Sequence, residues 1–235
     1  MRTKWMQTAL LLAGLAAMCG TAAYAQTDVA ASLYGTFTGT ASGATFPGTG
    51  TIQSPSNAPG GLLEVRHIAS SGVGFEGAYA YNRAKQVYSY SDPSGSYCSV
   101  GGGGDCTSET LSANAHELTG DLVGSFKAAR FRPFALAGVG ILFDVPTSGQ
   151  ATVTNLNCSG GVPSCVLSTG TVSTNTSARP VFVYGAGVDW KLLPHIGMRL
   201  QYRGNFYKAL DLNGPPSIAA FTHAAEPMIG MYFRM

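Results

Sequence analysis

The sequence predicts an all-β protein, an eight-stranded antiparallel up-and-down transmembrane β-barrel. Three observations predict it: a two-faced final segment, a regular alternation of long and short connections, and a low content of charge without a long apolar run. The final segment, residues 228–235, has one apolar face and one face that carries Arg234. Its apolar face consists of Ile229, Met231, Phe233 and Met235. Such a strand suits a barrel wall between lipid and an interior of packed polar side chains.

Composition excludes several other classes of protein. Charged residues make up 11% of the chain, against about 25% in ordinary soluble domains. Beyond the N-terminus no apolar run approaches the ~18–20 residues of a transmembrane helix. The formal net charge is +2 and falls to zero without the two basic residues near the N-terminus, so no basic surplus indicates nucleic acid.

The N-terminus resembles a secretory signal peptide. Arg2 and Lys4 form a positive region, residues 9–17 form a short apolar region, and Ala23-Tyr24-Ala25 is an A-x-A cleavage site. Residues 1–25 are therefore predicted to be cleaved and residues 26–235 to form the barrel domain. A lipoprotein attached through Cys19 is the alternative, although the bulky Met18 stands where a small residue is expected. Cleavage removes two of 14 basic residues, which leaves 12 against 12 acidic residues.

The mature chain keeps four cysteines in two close pairs, Cys98 with Cys106 and Cys158 with Cys165. An even number of cysteines in an exported chain indicates disulfides. Three connectivities are possible, and local pairing within each polar loop is the natural choice. The wide spacings and the distant histidines do not favour a metal site, and no cofactor is predicted.

Alternation along the mature chain predicts eight strands. They are Val29–Thr40, Gly61–Ala69, Gly72–Asn82, Leu111–Phe126, Pro133–Val145, Arg179–Trp190, His195–Lys208 and Ala220–Met235. Long and short connections alternate between them, as in outer-membrane barrels, whose turns are short at one rim and whose loops are long at the other. Both termini then lie at the short-turn rim. Two of the long connections, residues 41–60 and 146–178, contain no charged residue, and Thr152–Thr154 and Thr169–Thr176 are rich enough in β-branched residues to extend strands into the second.

The facing residues agree with a barrel wall. In the seventh strand Leu200 and Tyr202 point one way, while Arg199, Gln201 and Arg203 point the other. The fifth strand is apolar on both faces, so its orientation stays open. Aromatic residues fall near strand ends, as interfacial girdles require. A soluble lipocalin-like barrel is the main architectural alternative, and it would place its apolar residues inside.

With these features the chain resembles the small eight-stranded outer-membrane barrels of the OmpA/OmpX type. The resemblance covers the mature chain and includes Ile229, Met231, Phe233 and Met235, which are similar to the family's assembly signal. It implies the outer membrane of a Gram-negative bacterium as the location and assembly by the general barrel insertion machinery. Two features depart from the family. The family usually ends in Phe, whereas here Arg234 and Met235 follow Phe233. Pro227 also interrupts the final strand, where it costs a ladder hydrogen bond unless a bulge absorbs it.

The interior of the predicted barrel carries charge. The inward set is Glu64, Arg66, Glu76, Glu117, Asp121, Asp189, Arg199, Arg203, Glu226 and Arg234. Eight strands leave an interior just wide enough for side chains to fill, and buried charges need partners. We therefore expect a lumen plugged by paired charges, in which Arg199 and Arg203 pair with carboxylates. An ion-selective lining is the alternative.

The sequence thus predicts a structural or surface-interaction protein of the outer membrane that is not an enzyme. Its expected partners are outer-membrane lipid and lipopolysaccharide, the barrel assembly machinery and an extracellular ligand of the loops, with no nucleic acid. A narrow, low-conductance porin is the runner-up. A lipid-modifying enzyme is the third class, and it would use a histidine together with a serine and an acid. The candidate histidines are His67, His116, His195 and His223, and the sequence contains no local His-x-Ser pairing.

Overall fold

The protein is described here by a computed structural model. It describes residues 26–44, 50–69, 71–90, 106–126, 128–157, 166–209 and 220–235. The predicted signal peptide lies outside these ranges, as do Cys98, Cys158 and Cys165, while Cys106 begins a strand. Among the described residues, no helix has the length and apolar character needed to cross a membrane.

Twelve strands lie in the described ranges. In chain order they are β1 (Gln26–Thr38), β2 (Ala41–Ala44), β3 (Gly50–Pro55), β4 (Ala58–Ile68), β5 (Val73–Tyr90), β6 (Cys106–Ser125), β7 (Phe131–Pro146), β8 (Gln150–Asn157), β9 (Val166–Ser173), β10 (Ser177–Lys191), β11 (Ile196–Lys208) and β12 (Phe221–Arg234).

Eight of these strands form a closed antiparallel barrel. Around the wall the order is β1, β12, β11, β10, β7, β6, β5 and β4, and β4 pairs again with β1. Closure leaves no free edge inside the barrel wall, which satisfies its backbone hydrogen bonds without water. Each of the eight predicted strands corresponds to one wall strand, so the predicted fold class is confirmed.

The strands at the long-loop end reach further than the sequence predicted. β5 continues to Tyr90 rather than ending at Asn82, and β6 begins at Cys106 rather than at Leu111. The segment 41–60, predicted as a loop, contains the β2–β3 hairpin, which pairs with β5. The segment 146–178 contains the β8–β9 hairpin, which pairs with β6. Polar, β-branched residues that can pair with these extended strands explain why the sheet continues beyond the barrel.

Side chains alternate between the interior and an apolar outer surface. Along β12, Ile229, Met231 and Phe233 are about half exposed, while Met228 and Tyr232 are buried. In β7, whose orientation the sequence left open, Phe134, Leu136 and Leu142 point inward and pack with β10 side chains. Val139, Ile141 and Phe143 of the same strand point outward. The exposed apolar side chains form the belt that a membrane barrel turns toward lipid.

The short-turn end holds both ends of the described chain and the connections β4–β5, β6–β7 and β10–β11. Gly72 forms one of these turns with a φ of 86°, a backbone conformation that glycine adopts without strain. Its N–H donates to the carbonyl of Ala69 at 3.0 Å, and its own carbonyl accepts from the N–H of Ser125 at 2.7 Å. The turn therefore ties β4 and β5 to the end of β6.

Pro227 interrupts the ladder between β1 and β12 without shifting it. Pairing stops after Tyr34 and Met228 and resumes in the same register at Phe37 and Ala225. On the other side of β12, Pro227 stays opposite Tyr202. The missing N–H thus costs local pairing with β1 only, and the bulge that the sequence left open is not formed.

Candidate functional site

The barrel interior holds the charged side chains. Every carboxylate of the described residues is buried: Asp28, Glu64, Glu76, Glu109, Glu117, Asp121, Asp144, Asp189 and Glu226. Of the ten residues predicted to face the lumen, nine are buried, and Arg66, Arg199 and Arg203 are fully so. Arg234 is half-buried at the short-turn mouth. Strand alternation alone accounts for this placement, because each of these residues lies an even number of positions from other inward-facing residues of its strand.

Eight of the charged residues form one group near the short turns, which we call the short-turn cluster. It consists of Asp28, Glu64, Arg66, Glu76, Arg132, Asp189, Arg199 and Arg234. Four are carboxylates and four are arginines, so the formal charge of the cluster is zero. Seven of the eight wall strands contribute to it, and β6 is the exception.

Arg199 of β11 lies at the centre of this cluster. Its Nε donates to Oδ1 of Asp189 at 2.7 Å, and its Nη1 donates to Oε2 of Glu64 at 3.1 Å. Beside it, Nε of Arg66 donates to Oε2 of Glu76 at 2.6 Å, and Nη1 of Arg66 lies 3.5 Å from Oδ2 of Asp189. Charge-assisted bonds of this kind are the strong ones in proteins, and here they join β4, β5, β10 and β11.

Arg132 connects opposite walls of the barrel. Its Nη2 donates to a carboxylate oxygen of Asp28, and it lies 3.2 Å from Oδ2 of Asp189. Since β7 and β1 are four strands apart in either direction, the Arg132–Asp28 pair spans the lumen. Arg234 Nε donates to the second oxygen of Asp28 at 3.0 Å, which joins β12 to this pair.

An aromatic ring supports the two central guanidinium groups. The guanidinium carbon of Arg66 lies 3.9 Å from the ring centroid of Phe134, and that of Arg199 lies 5.3 Å from it. Phe134 is buried and points inward from β7. A cation over an aromatic face is attracted by the ring quadrupole, and more strongly when both are desolvated.

A second group, the long-loop cluster, consists of Glu117, Asp121, Arg203 and Glu226. It borders the short-turn cluster at Asp121, which lies opposite Glu76 in the β5–β6 ladder. Nη2 of Arg203 donates to Oε1 of Glu117 at 3.0 Å. Asp121 accepts from the hydroxyl of Thr119 at 3.2 Å, and Glu226 accepts from that of Thr36 at 3.4 Å. Within the described part of the chain neither of these two carboxylates makes an ion pair. Three carboxylates thus share one arginine.

The outermost part of the lumen contains the Asp144–Arg179 ion pair and a small cavity. The cavity has a volume of about 40 Å³ and is lined mainly by polar side chains, among them Glu117, Glu226 and Asn205. This volume holds a water molecule or two. A larger cavity of about 290 Å³ lies at the short-turn mouth and is lined in part by Arg132, Asp189 and Arg234.

Sequence reasoning missed four members of these pairs: Asp28, Arg132, Asp144 and Arg179. Asp28 and Arg132 lay just outside predicted strand limits, and Asp144 lay in the strand of open orientation. For Arg179 the signal was present, because the alternation that turns Val181 inward also turns Arg179 inward. If the first and fifth predicted strands had begun one residue earlier, they would have included Asp28 and Arg132.

The four histidines do not form a catalytic arrangement with the carboxylates in the described part of the molecule. His67 contacts Thr27, and Nδ1 of His195 donates to the carbonyl of Arg234 at 3.0 Å. His116 and His223 lie on the outer surface and hydrogen-bond to tyrosine hydroxyl groups, each at 2.8 Å. None of these contacts is with a carboxylate or a serine, and the carboxylates lie on the other side of the barrel wall.

Comparison with known proteins gives a likeness of fold. No protein-family model matches the chain, and no curated protein matches it. The outer-membrane protein OprG of Pseudomonas aeruginosa is similar with a TM-score of 0.51 at 12% identity, covering 90% of this chain and 96% of OprG. Ail of Yersinia pestis has a TM-score of 0.44 at 11% identity, covering 90% and 99% of the two chains. Neisserial surface protein A has a TM-score of 0.43 at 12% identity, covering 89% and 96%.

At 12% identity the likeness to OprG concerns the fold alone. That fold is the small outer-membrane β-barrel, and the apolar belt around the closed wall is what such a barrel needs. The predicted resemblance in fold, to the small eight-stranded outer-membrane barrels, is therefore confirmed.

Proposed function

We propose that this protein is an outer-membrane barrel whose lumen is closed to solutes and whose role is structural or one of surface interaction. The observation that carries the proposal is the short-turn cluster, because its ion pairs connect walls on opposite sides of the lumen. Arg132 reaches Asp28 across the barrel, and Arg199 reaches Glu64. A solute would have to separate these pairs in order to pass.

Separating the pairs is expensive for a physical reason. Arg66, Arg199 and their carboxylate partners are fully buried, so no water replaces a lost partner. Breaking a buried ion pair typically costs about 3–5 kcal/mol, and several pairs would have to break together. The cluster therefore favours a closed barrel over an open pore.

The sheet beyond the belt supports a role at the surface. The β2–β3 and β8–β9 hairpins continue the sheet from β5 and β6 and contain no charged residue. Such a surface offers hydrogen-bonding groups and little electrostatic steering. It fits contact with a neutral or weakly charged extracellular ligand, with both termini on the periplasmic side of the membrane.

A narrow, low-conductance porin is the second candidate. The observation that favours it is the long-loop cluster, whose three carboxylates share Arg203 and two of which, Glu117 and Glu226, line a small polar cavity. A cation entering from the long-loop end would find a favourable potential there. It would then meet the short-turn cluster, which has no excess charge.

Single-channel recording in planar bilayers tests the proposal. The mature protein is first refolded and checked for a heat-dependent gel shift, since a soluble barrel would show no shift and need no detergent. We expect silent bilayers for the wild type and conductance steps for the double variant Arg66→Ala/Arg199→Ala, which removes two central side chains. Reproducible steps in the wild type would replace the closed barrel with the porin.

A further inference from the structure

Charge is distributed unequally between the two faces of the barrel wall. All nine carboxylates of the described residues are buried, whereas five cations are exposed: Arg83, Lys85, Arg130, Lys191 and Lys208. Among the described residues, the charged side chains on the outer surface are therefore all positive. Three of these cations lie toward the long-loop end and two lie at the short-turn end.

Arg83 and Lys85 stand at the upper edge of the apolar belt. They follow Tyr79 and Tyr81 on the outer face of β5, which begins at Val73. Arg83 lies ten positions after Val73, which at about 3.4 Å per residue and a tilt of about 40° corresponds to roughly 25 Å of height. That is about the height of the apolar band of an outer-membrane barrel, so the two cations meet the level of lipid headgroups.

Polar and aromatic side chains surround these two cations. We call the group Tyr79, Tyr81, Arg83, Lys85, Asn114 and His116 the basic patch. The hydroxyl of Tyr79 lies 2.8 Å from Nδ1 of His116, and the hydroxyl of Tyr81 donates to Oδ1 of Asn114 at 3.2 Å. Arg83 lies opposite Asn114 in the β5–β6 ladder. Within the described ranges neither cation of the patch makes an ion pair, so both are available to an anion.

The opposite side of the barrel repeats this arrangement with one cation. Lys208 lies on β11, four strands from β5 in either direction. Near it His223 is 2.8 Å from the hydroxyl of Tyr184, and Phe206 stacks on Phe221 at 5.1 Å between ring centroids. The basic patch is therefore the stronger of two similar outer surfaces.

We propose that the basic patch binds a phosphorylated glycolipid of the outer leaflet, with a phosphate group held by Arg83 and Lys85. The proposal rests on the orientation in the proposed function, in which the long-loop end faces outward. Two adjacent cations without a carboxylate suit a dianionic phosphate. Tyrosine, asparagine and imidazole groups suit sugar hydroxyls, and the apolar belt below suits acyl chains.

Binding of lipid A by the refolded mature protein in detergent micelles, followed by native mass spectrometry, tests the proposal. The variant Arg83→Ala/Lys85→Ala should bind bisphosphorylated lipid A at least about tenfold more weakly, since it removes both cations that would hold the phosphate. The matched control Arg130→Ala/Lys191→Ala removes two exposed cations at the other end and should bind as the wild type does. Lys208→Ala should have a smaller effect than the patch variant.

Several outcomes would overturn the assignment. Equal losses in the two double variants would show a general effect of charge, and undiminished binding by the patch variant would show that the patch is not the site. Dephosphorylated lipid A must bind the wild type weakly. Competition by inorganic phosphate alone, or equal binding of phosphatidylglycerol, would contradict a glycolipid site. Because Arg83 and Lys85 are exposed, their loss should leave the gel shift and the silent bilayers unchanged, so failure here is separable from failure of the closed barrel.

Discussion

The short-turn cluster and the long-loop cluster solve the same problem of buried charge in different ways. In the short-turn cluster four arginines face four carboxylates, and each carboxylate has a guanidinium partner. In the long-loop cluster Arg203 alone serves Glu117, Asp121 and Glu226, and two of these accept hydroxyl hydrogen bonds instead. Both clusters lie inside the same wall, so strand geometry does not explain the difference.

The difference indicates separate roles for the two clusters. A balanced, cross-linked cluster stabilises the strands that it joins, because every charge that is removed leaves a buried partner behind. A cluster with excess negative charge tolerates the loss of a carboxylate better than the loss of its arginine. The two clusters should therefore respond differently to substitutions of the same chemical type.

The largest effect is expected for Arg203→Ala. This change leaves three buried carboxylates in one cluster without a guanidinium group, and we expect the free energy of unfolding to fall by about 5 kcal/mol, the upper end for a broken buried pair. Urea unfolding of the barrel in phosphatidylcholine vesicles measures it. Arg130→Ala, at an exposed turn position, is the control and should unfold as the wild type does. A loss smaller than that of Arg199→Ala would contradict the comparison between the clusters.

A smaller loss is expected for Arg199→Ala. Asp189 keeps Arg66 and Arg132 as partners, and Glu76 keeps Arg66. Only Glu64 is left without an ion pair, so we expect a loss of about 3 kcal/mol. The same unfolding assay applies. The double variant Arg199→Ala/Glu64→Gln should recover part of that loss, because it removes the carboxylate left alone. No recovery would show that Glu64 is not the residue that depends on Arg199.

The smallest effect concerns the ring beneath the short-turn cluster. Phe134→Leu keeps an apolar side chain but removes the face over which Arg66 lies, and we expect a loss of about 1 kcal/mol. Phe143→Leu changes the same residue type on the outward face of β7 and should have less effect in the unfolding assay. Equal effects of the two substitutions would assign the loss to strand packing rather than to the cation.

Much of the wall could be predicted from the sequence, because alternation is a local property. The inward placement of Arg199 and Arg203 follows from their neighbours on one strand. The fifth predicted strand stayed open because Phe134, Leu136 and Leu142 are apolar although they face the interior, where Phe134 supports Arg66. There the rule that separates apolar from polar faces does not apply.

The partners within the lumen could not be predicted in this way. Arg132 meets Asp28 only because the sheet closes with β7 opposite β1, and closure depends on the register of all eight strands. The extended hairpins were missed in part for a related reason. β2 and β3 are short and rich in glycine and polar residues, so pairing with β5 defines them rather than their own pattern.

The difference in unfolding free energy between Glu76→Gln and Glu226→Gln tests the contrast between the clusters most directly. Both changes neutralise a buried glutamate without altering its size. Glu76→Gln weakens a charged hydrogen bond to Arg66 and should cost about 2 kcal/mol. Glu226→Gln removes one of three carboxylates around Arg203 and keeps an acceptor for Thr36, so stability should be unchanged or higher. Equal losses, or a larger loss for Glu226→Gln, would contradict a balanced cluster beside an acidic one.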